Sequence, residues 1–162
     1  MAIVWRDQMS VDRGIVDNDH KCLISLVNDV QVIRHGPNLP KQVAEILERV
    51  DIYARTHFDR EEQLQSAVGF PGAEAHHQHH VDLTDALVAM RADWNIIRVP
   101  KAMMTFHRRL CDFLYHWLID HILKEDLMMR PFVAEMRQHA KGFQTLDQAV
   151  VSGQGSIDDG LC

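Results

Sequence analysis

At 162 residues the chain is long enough for a single domain with a real hydrophobic core. A net charge of −6 with neutral histidines argues against a nucleic-acid scaffold and leaves no basic patch for a membrane surface. The composition is otherwise ordinary, except for eleven histidines, four of them crowded into EAHHQHHVDL at 74–83.

The opening MAIVWRDQMS has no basic segment followed by an apolar stretch, so no signal peptide is expected. No apolar run approaches the roughly eighteen residues of a membrane span. Cys22, Cys111 and Cys162 are odd in number and widely spaced, which suits reduced thiols and a cytoplasmic protein.

Residues 1–16 read as an irregular arm whose Trp5 packs on the helical body. Proline and glycine then punctuate the chain at RHGPNLP, VGFPG, RVP and MRP, and the segments between show helical rather than strand periodicity. The first segment starts near Asp17 or Asn18, either a good N-cap, and ends before Gly36-Pro37. His20 precedes Leu23, Val27, Val30 and Ile33 in phase. The second runs from Pro40 to about Ala67, where Val43, Leu47, Val50 and Ala54 set a seam that continues into His57 and Glu61. Glu62 falls off that stripe.

The third segment, about 73–98, carries Leu83, Leu87, Met90, Trp94 and Ile97 at alternating spacings of four and three. Extended backwards, this seam meets His80 and then His76, while His77 and His79 face solvent. Two histidines four apart lie about 6 Å apart along a helix axis and can reach one metal. In the fourth segment, about 101–129, Leu110, Leu114 and Trp117 or Leu118 lead to His121, followed by Glu125 and Asp126. Residues 131–142 are expected to add a short helix, and 143–162 to form a flexible tail or linker.

Four helices joined by short turns predict an all-α, up-down-up-down antiparallel four-helix bundle over residues 1–130. In that topology the start of the first helix, the end of the second, the start of the third and the end of the fourth share one end. His20, His57, Glu61, His76, His80 and His121 then meet at one level of the core, where unpartnered polar groups are costly. Five imidazoles and at least two carboxylates exceed one tetrahedral zinc. They suit two six-coordinate transition metals bridged by carboxylates. His107 is in phase with His121 but about 21 Å away along the helix, too far to join. His35, His77, His79, His116 and His139 are expected at the surface.

These stretches resemble the hemerythrin family, its bacterial branch in particular: DNDHKCL around His20, HFDREE at 57–62, FPGAEAHHQHH at 70–80 and HWLIDHILKED at 116–126. The resemblance covers roughly residues 5–130 and implies a non-haem di-iron centre that binds dioxygen reversibly. Position by position, it implies one iron held by His76, His80 and His121 and the other by His20 and His57. Glu61 and Asp126 would bridge them beside a solvent-derived oxygen, leaving an open position for dioxygen on the second iron. It also selects Asp126 over Glu125, which stands four residues after His121 and which helical spacing favours. A π-type widening of the helix would reconcile the two. Leu23, Phe58, Trp117, Leu118 and Ile122 would form the apolar oxygen pocket, which has to be dry. Gln65 and Leu83 depart from the family's frequent methionine and phenylalanine.

The resemblance favours oxygen storage, transport or sensing over a di-iron enzyme that reduces oxygen, peroxide or nitric oxide. Enzymes of that class usually have a carboxylate-rich shell. A third reading makes the chain the sensory module of a larger signalling protein. The oligomeric state is open.

Overall fold

Three of the four proline and glycine marks in the sequence fall at helix boundaries in the computed structural model, which describes residues 2–138; the fourth, MRP, lies inside a 3-10 helix. Helix α1 spans Ile15–Val32, α2 Leu39–Ala67, α3 Ala73–Ile96 and α4 Pro100–Lys124. Pro40 and Pro100 occupy first-turn positions of α2 and α4, where a missing N–H costs nothing. Helix α2 ends in a Schellman motif. Gly69 takes φ +61°, its N–H bonds the Ser66 carbonyl at 3.2 Å, and the Phe70 N–H reaches back to Gln65 at 2.9 Å.

The four helices form the expected antiparallel bundle, α1 packing on α2 and α4, and α3 closing the ring between α2 and α4. Their seams build the main core: Leu23, Val27 and Val30 from α1, Val43, Leu47, Val50 and Ala54 from α2, Leu87, Met90 and Trp94 from α3, and Leu110, Leu114 and Leu118 from α4. Val11, Val16, Leu64, Phe70, Met129 and Met136 make a second, smaller apolar cluster. Trp5 of the arm packs partly buried on the main core, and Lys21 Nζ lies 5.1 Å from its ring centre. Among the described residues no helix is long and apolar enough to cross a membrane.

Two boundaries differ from the sequence expectation. Helix α1 starts at Ile15, ahead of Asp17 and Asn18, because Asp12 caps it: the Asp12 carboxylate accepts the N–H groups of Gly14 (2.7 Å) and Asp17 (3.1 Å). Buried Asp17 points back into the arm, where it accepts the N–H groups of Val11 (2.6 Å) and Arg13 (3.0 Å) and the Ser10 hydroxyl (2.5 Å). Helix α4 stops at Lys124, short of residue 129. A 3-10 helix follows over Asp126–Phe132, with Pro131 inside it. Pro131 has no N–H to continue an α-helical ladder, and the tighter winding accommodates it.

Residues 133–138 are helical, within the span expected for a short extra helix. The rest of that span, His139 included, and the tail expected over 143–162 lie outside the described residues. Cys111 is a free thiol, and Cys162 lies outside the described residues.

His107 behaves as a packing and capping residue far along α4 from His121. Its Nε2 donates to the Val30 carbonyl at 2.8 Å, satisfying one of the last carbonyls of α1. That donation leaves Nδ1 as the acceptor for His35 Nε2 at 3.0 Å. His35, His77, His79 and His116 are exposed, as expected.

Candidate metal centre

The bundle brings all seven candidate donors into one buried layer between the two apolar clusters. His20 comes from α1, His57 and Glu61 from α2, His76 and His80 from α3, His121 from α4 and Asp126 from the start of the 3-10 helix. None is more than 5% exposed. Their inward atoms form two overlapping sets: Glu61, His76, His80 and His121, then His20, His57, Glu61 and Asp126. Within each set the donor atoms all lie within 4.8 Å of one another.

Asp126 belongs to both halves. Its Oδ2 lies 3.0 Å from His20 Nε2, while Oδ1 lies 3.1 Å from His121 Nε2 and 3.3 Å from His76 Nε2. Glu61 Oε2 likewise stands 3.2 Å from His76 Nε2, 3.3 Å from His80 Nε2 and 3.9 Å from His57 Nε2.

The end of α4 explains why Asp126 rather than Glu125 turns inward, without the expected π-type widening. The Glu125 N–H still bonds the His121 carbonyl at 2.9 Å, but the chain then tightens into the 3-10 turn, which rotates Asp126 under His121. Glu125 is left on the outside, paired with His79 Nδ1 at 3.0 Å.

Several polar atoms in this layer are buried with no hydrogen-bond partner: both ring nitrogens of His20 and His76, Nε2 of His57, and all four carboxylate oxygens of Glu61 and Asp126. A folded protein rarely tolerates such a set, because each orphan keeps its full desolvation cost. Cations placed between them would satisfy the inward atoms together. On that test the residues fit a pair of metal ions.

The electrostatics agree. Burial alone would favour neutral forms, yet the imidazoles around Asp126 hold its carboxyl well below the usual range. For Glu61, burial and the Asp126 charge push upward, but His57 and the nearby rings of His76 and His80 prevail and bring it to about 2. His76, opposed by burial, is raised to about 10 by Asp126 and Glu61. His20 is raised too, mainly by Asp126 against the effect of burial. His121 moves the other way, to about 4, through burial and the like charges of His80 and His76. Two buried carboxylates thus draw positive charge onto two of the rings, and bound cations would replace those protons.

Two carboxylates outside the layer orient the rings within it, and the helix-seam argument missed both. Glu62, off the stripe, accepts from His80 Nδ1 at 2.7 Å and reaches exposed His77 at 3.0 Å. Asp19 lies 3.4 Å from His57 Nδ1 and is itself held by Arg60 Nη1 (2.5 Å) and the Tyr53 hydroxyl (3.1 Å). Fixing Nδ1 as the proton carrier turns each Nε2 lone pair inward, as a metal ligand requires. The signal for Glu62 lay in the Glu61-Glu62 doublet, and that for Asp19 in its place beside His20.

All five residues expected to form the apolar pocket are buried in the main core: Leu23, Phe58, Trp117, Leu118 and Ile122. Phe58 stacks on His80 with centroids 3.9 Å apart and lies 5.5 Å from His121 and 6.1 Å from Trp117. The Trp117 indole N–H is satisfied by the Leu83 carbonyl at 3.3 Å. On the opposite side Gln65, fully buried one turn beyond Glu61, donates to the Met129 sulfur at 3.1 Å, and its Oε1 has no partner.

Against known protein families, residues 12–133 match the hemerythrin HHE cation binding domain. The chain belongs to the hemerythrin family. It is similar to the bacteriohemerythrin of Clostridium acetobutylicum, 23% identical over 126 residues that cover 76% of this chain and 95% of that one. The bacteriohemerythrin of Stenotrophomonas maltophilia is 23% identical over 141 residues, 87% of this chain and 86% of its own. That of Pseudomonas aeruginosa is 27% identical over 130 residues, 76% of each chain. The hemerythrin bundle is also similar to a crystal structure described as that of a leucine-to-phenylalanine mutant. The TM-score is 0.69 and the identity 21%, covering 81% of this chain and 97% of that one.

Proposed function

We propose that this hemerythrin-family chain binds dioxygen reversibly at a di-iron centre, as an oxygen store, carrier or sensor. His76, His80 and His121 would hold one iron, His20 and His57 the other, with Glu61 and Asp126 shared between the two. The observation that carries this reading is the division of one buried donor layer into two sets that share Glu61, beneath an apolar wall. Five imidazoles and two carboxylates are nitrogen and oxygen donors of the kind that suit iron. When bound, the irons supply the redox couple on which reversible oxygen binding depends.

The protein's own part is positional and exclusionary. Glu62 and Asp19 hold the His80 and His57 rings through Nδ1, so Nε2 of each stays aimed into the layer. Phe58, Leu118, Ile122, Leu23 and Trp117, all buried in the main core, keep water away from the donor layer. Few anionic donors keep the ferrous state accessible, which favours binding over oxygen activation.

The test starts from anaerobically reduced, iron-loaded protein. Metal analysis should give two irons per chain, and oxygen should produce an absorption band that disappears when oxygen is removed. Accumulation of peroxide or water without a reversible band would favour an oxygen-reducing enzyme. A single metal ion per chain would end the di-iron reading.

A further inference from the structure

A cleft of about 500 Å³ opens where the N-terminal arm crosses the segment after α4, and none of the seven donors lines it. Three arginines do: Arg13, Arg130 and Arg137. Arg130 donates from Nε to the Ser10 carbonyl at 2.7 Å and from Nη2 to the Gln8 carbonyl at 2.6 Å. Arg137 donates from Nε (2.9 Å) and Nη2 (2.5 Å) to the Asp12 carbonyl. Backbone carbonyls therefore fix both guanidinium planes without neutralising them, and Nη1 of each remains undonated.

Arg13 enters the same cleft from a left-handed backbone, φ +53°, held there by its N–H bond to Asp17. No carboxylate pairs with any of the three arginines among the described residues. Among the described residues Asp7 is the one acidic residue of the lining, and the Asp12 carboxylate is committed to the first turn of α1. Three positive charges against one negative form an island in a chain of net charge −6.

We propose that this cleft binds a small phosphate-bearing molecule, with the phosphate held by Arg13, Arg130 and Arg137. Guanidinium N–H groups make charge-assisted bonds to phosphate oxygens; Arg130 and Arg137 present their remaining N–H groups from planes already held in place, so they lose little side-chain freedom on binding. The cleft is far larger than one phosphate group needs and falls in the range of small-molecule sites, so it accommodates the rest of the molecule. Ser10, Val11 and Arg13 all bond Asp17, one turn ahead of His20, so the occupied cleft would adjoin the segment that leads into the metal layer.

The probe is adenosine monophosphate, titrated into the full chain by calorimetry at fixed ionic strength, with adenosine and sodium chloride as controls. Saturable binding of the monophosphate but not of adenosine is expected, in metal-free and metal-loaded protein alike. The Arg13 side chain holds no part of the arm, so Arg13→Ala should keep the fold and weaken binding about ten-fold. Arg137→Lys keeps the charge but loses the fork and should weaken binding less. The proposal is overturned if no saturable heat appears at millimolar ligand, if adenosine binds equally well, or if both variants bind like the parent.

Discussion

Replacing Asp19 by asparagine tests whether the two halves of the donor layer are oriented separately. Asp19 holds His57 Nδ1 at 3.4 Å and is braced by Arg60 and Tyr53, and His57 contributes only to the second donor set. Asparagine keeps the shape but not the charge: His57 and Arg60 share Oδ2 while the Tyr53 hydroxyl takes Oδ1, so the amide nitrogen either meets both donors or turns toward Tyr53 and leaves them a single neutral oxygen. Loss of such a ring-orienting carboxylate typically weakens a metal site 10–100-fold, or about 1.4–2.8 kcal/mol. The Arg60 pair adds about 1 kcal/mol or less to fold stability, since Arg60 is partly solvated. Glu62→Gln is the mirror experiment, because Glu62 orients His80 of the first set at 2.7 Å. The assay is competition for cobalt(II) or anaerobic iron(II) against a coloured chelator, resolved into two binding steps. Asp19→Asn should weaken one step and Glu62→Gln the other. Parallel weakening of both steps by each variant, or no weakening with the fold intact, would refute separate orientation.

The remaining predictions concern the metal-free protein and the packing around the layer. Glu61 is depressed from 4.5 to about 2, so its contribution is present above pH 4.5 and fades as pH falls toward 2; His76 is raised from 6.5 to about 10, so its contribution is complete below pH 6.5 and fades as pH rises toward 10. His121, lowered from 6.5 to about 4, costs stability as pH falls below 6.5, so urea midpoints of metal-free protein should peak near pH 6.5, and a continued rise from 6.5 to 10 would contradict the assignment. Metal uptake at pH 7 should release protons, measurable as a dependence of binding heat on the buffer's ionisation enthalpy. Phe58→Ala removes a buried ring stacked on His80 and should cost about 3–5 kcal/mol in chemical unfolding. Gln65→Met removes an unpartnered buried oxygen at similar volume and should stabilise the metal-free protein by about 1–2 kcal/mol, read as a higher unfolding midpoint.

Much of this site was legible in the sequence because a bundle seam has a fixed period. Once Leu87, Met90 and Trp94 set the phase of α3, His80 and His76 could only point inward, and the same reasoning carried His20, His57, Glu61 and His121. Periodicity stops being informative where a helix stops. It could not choose between Glu125 and Asp126, because the choice depends on a change of winding at Lys124 rather than on residue spacing. It also passed over Glu62 and Asp19, whose place off the seam is what lets them reach the outer nitrogens of His80 and His57. Sequence signals place the start of α1 too late because Asp12 caps it across the turn, while the apparent cap, Asp17, is spent on the arm.

The change of winding after Lys124 means that six donors ride on the four long helices, and the last is delivered by a strap outside them. That strap is buckled to the opposite terminus, since Arg130 grips the carbonyls of Gln8 and Ser10 while Met129 seats against Gln65. Ending the chain after Glu125 would leave every long helix whole, yet it would remove one of the arm's fastenings and open the floor of the cage in one cut.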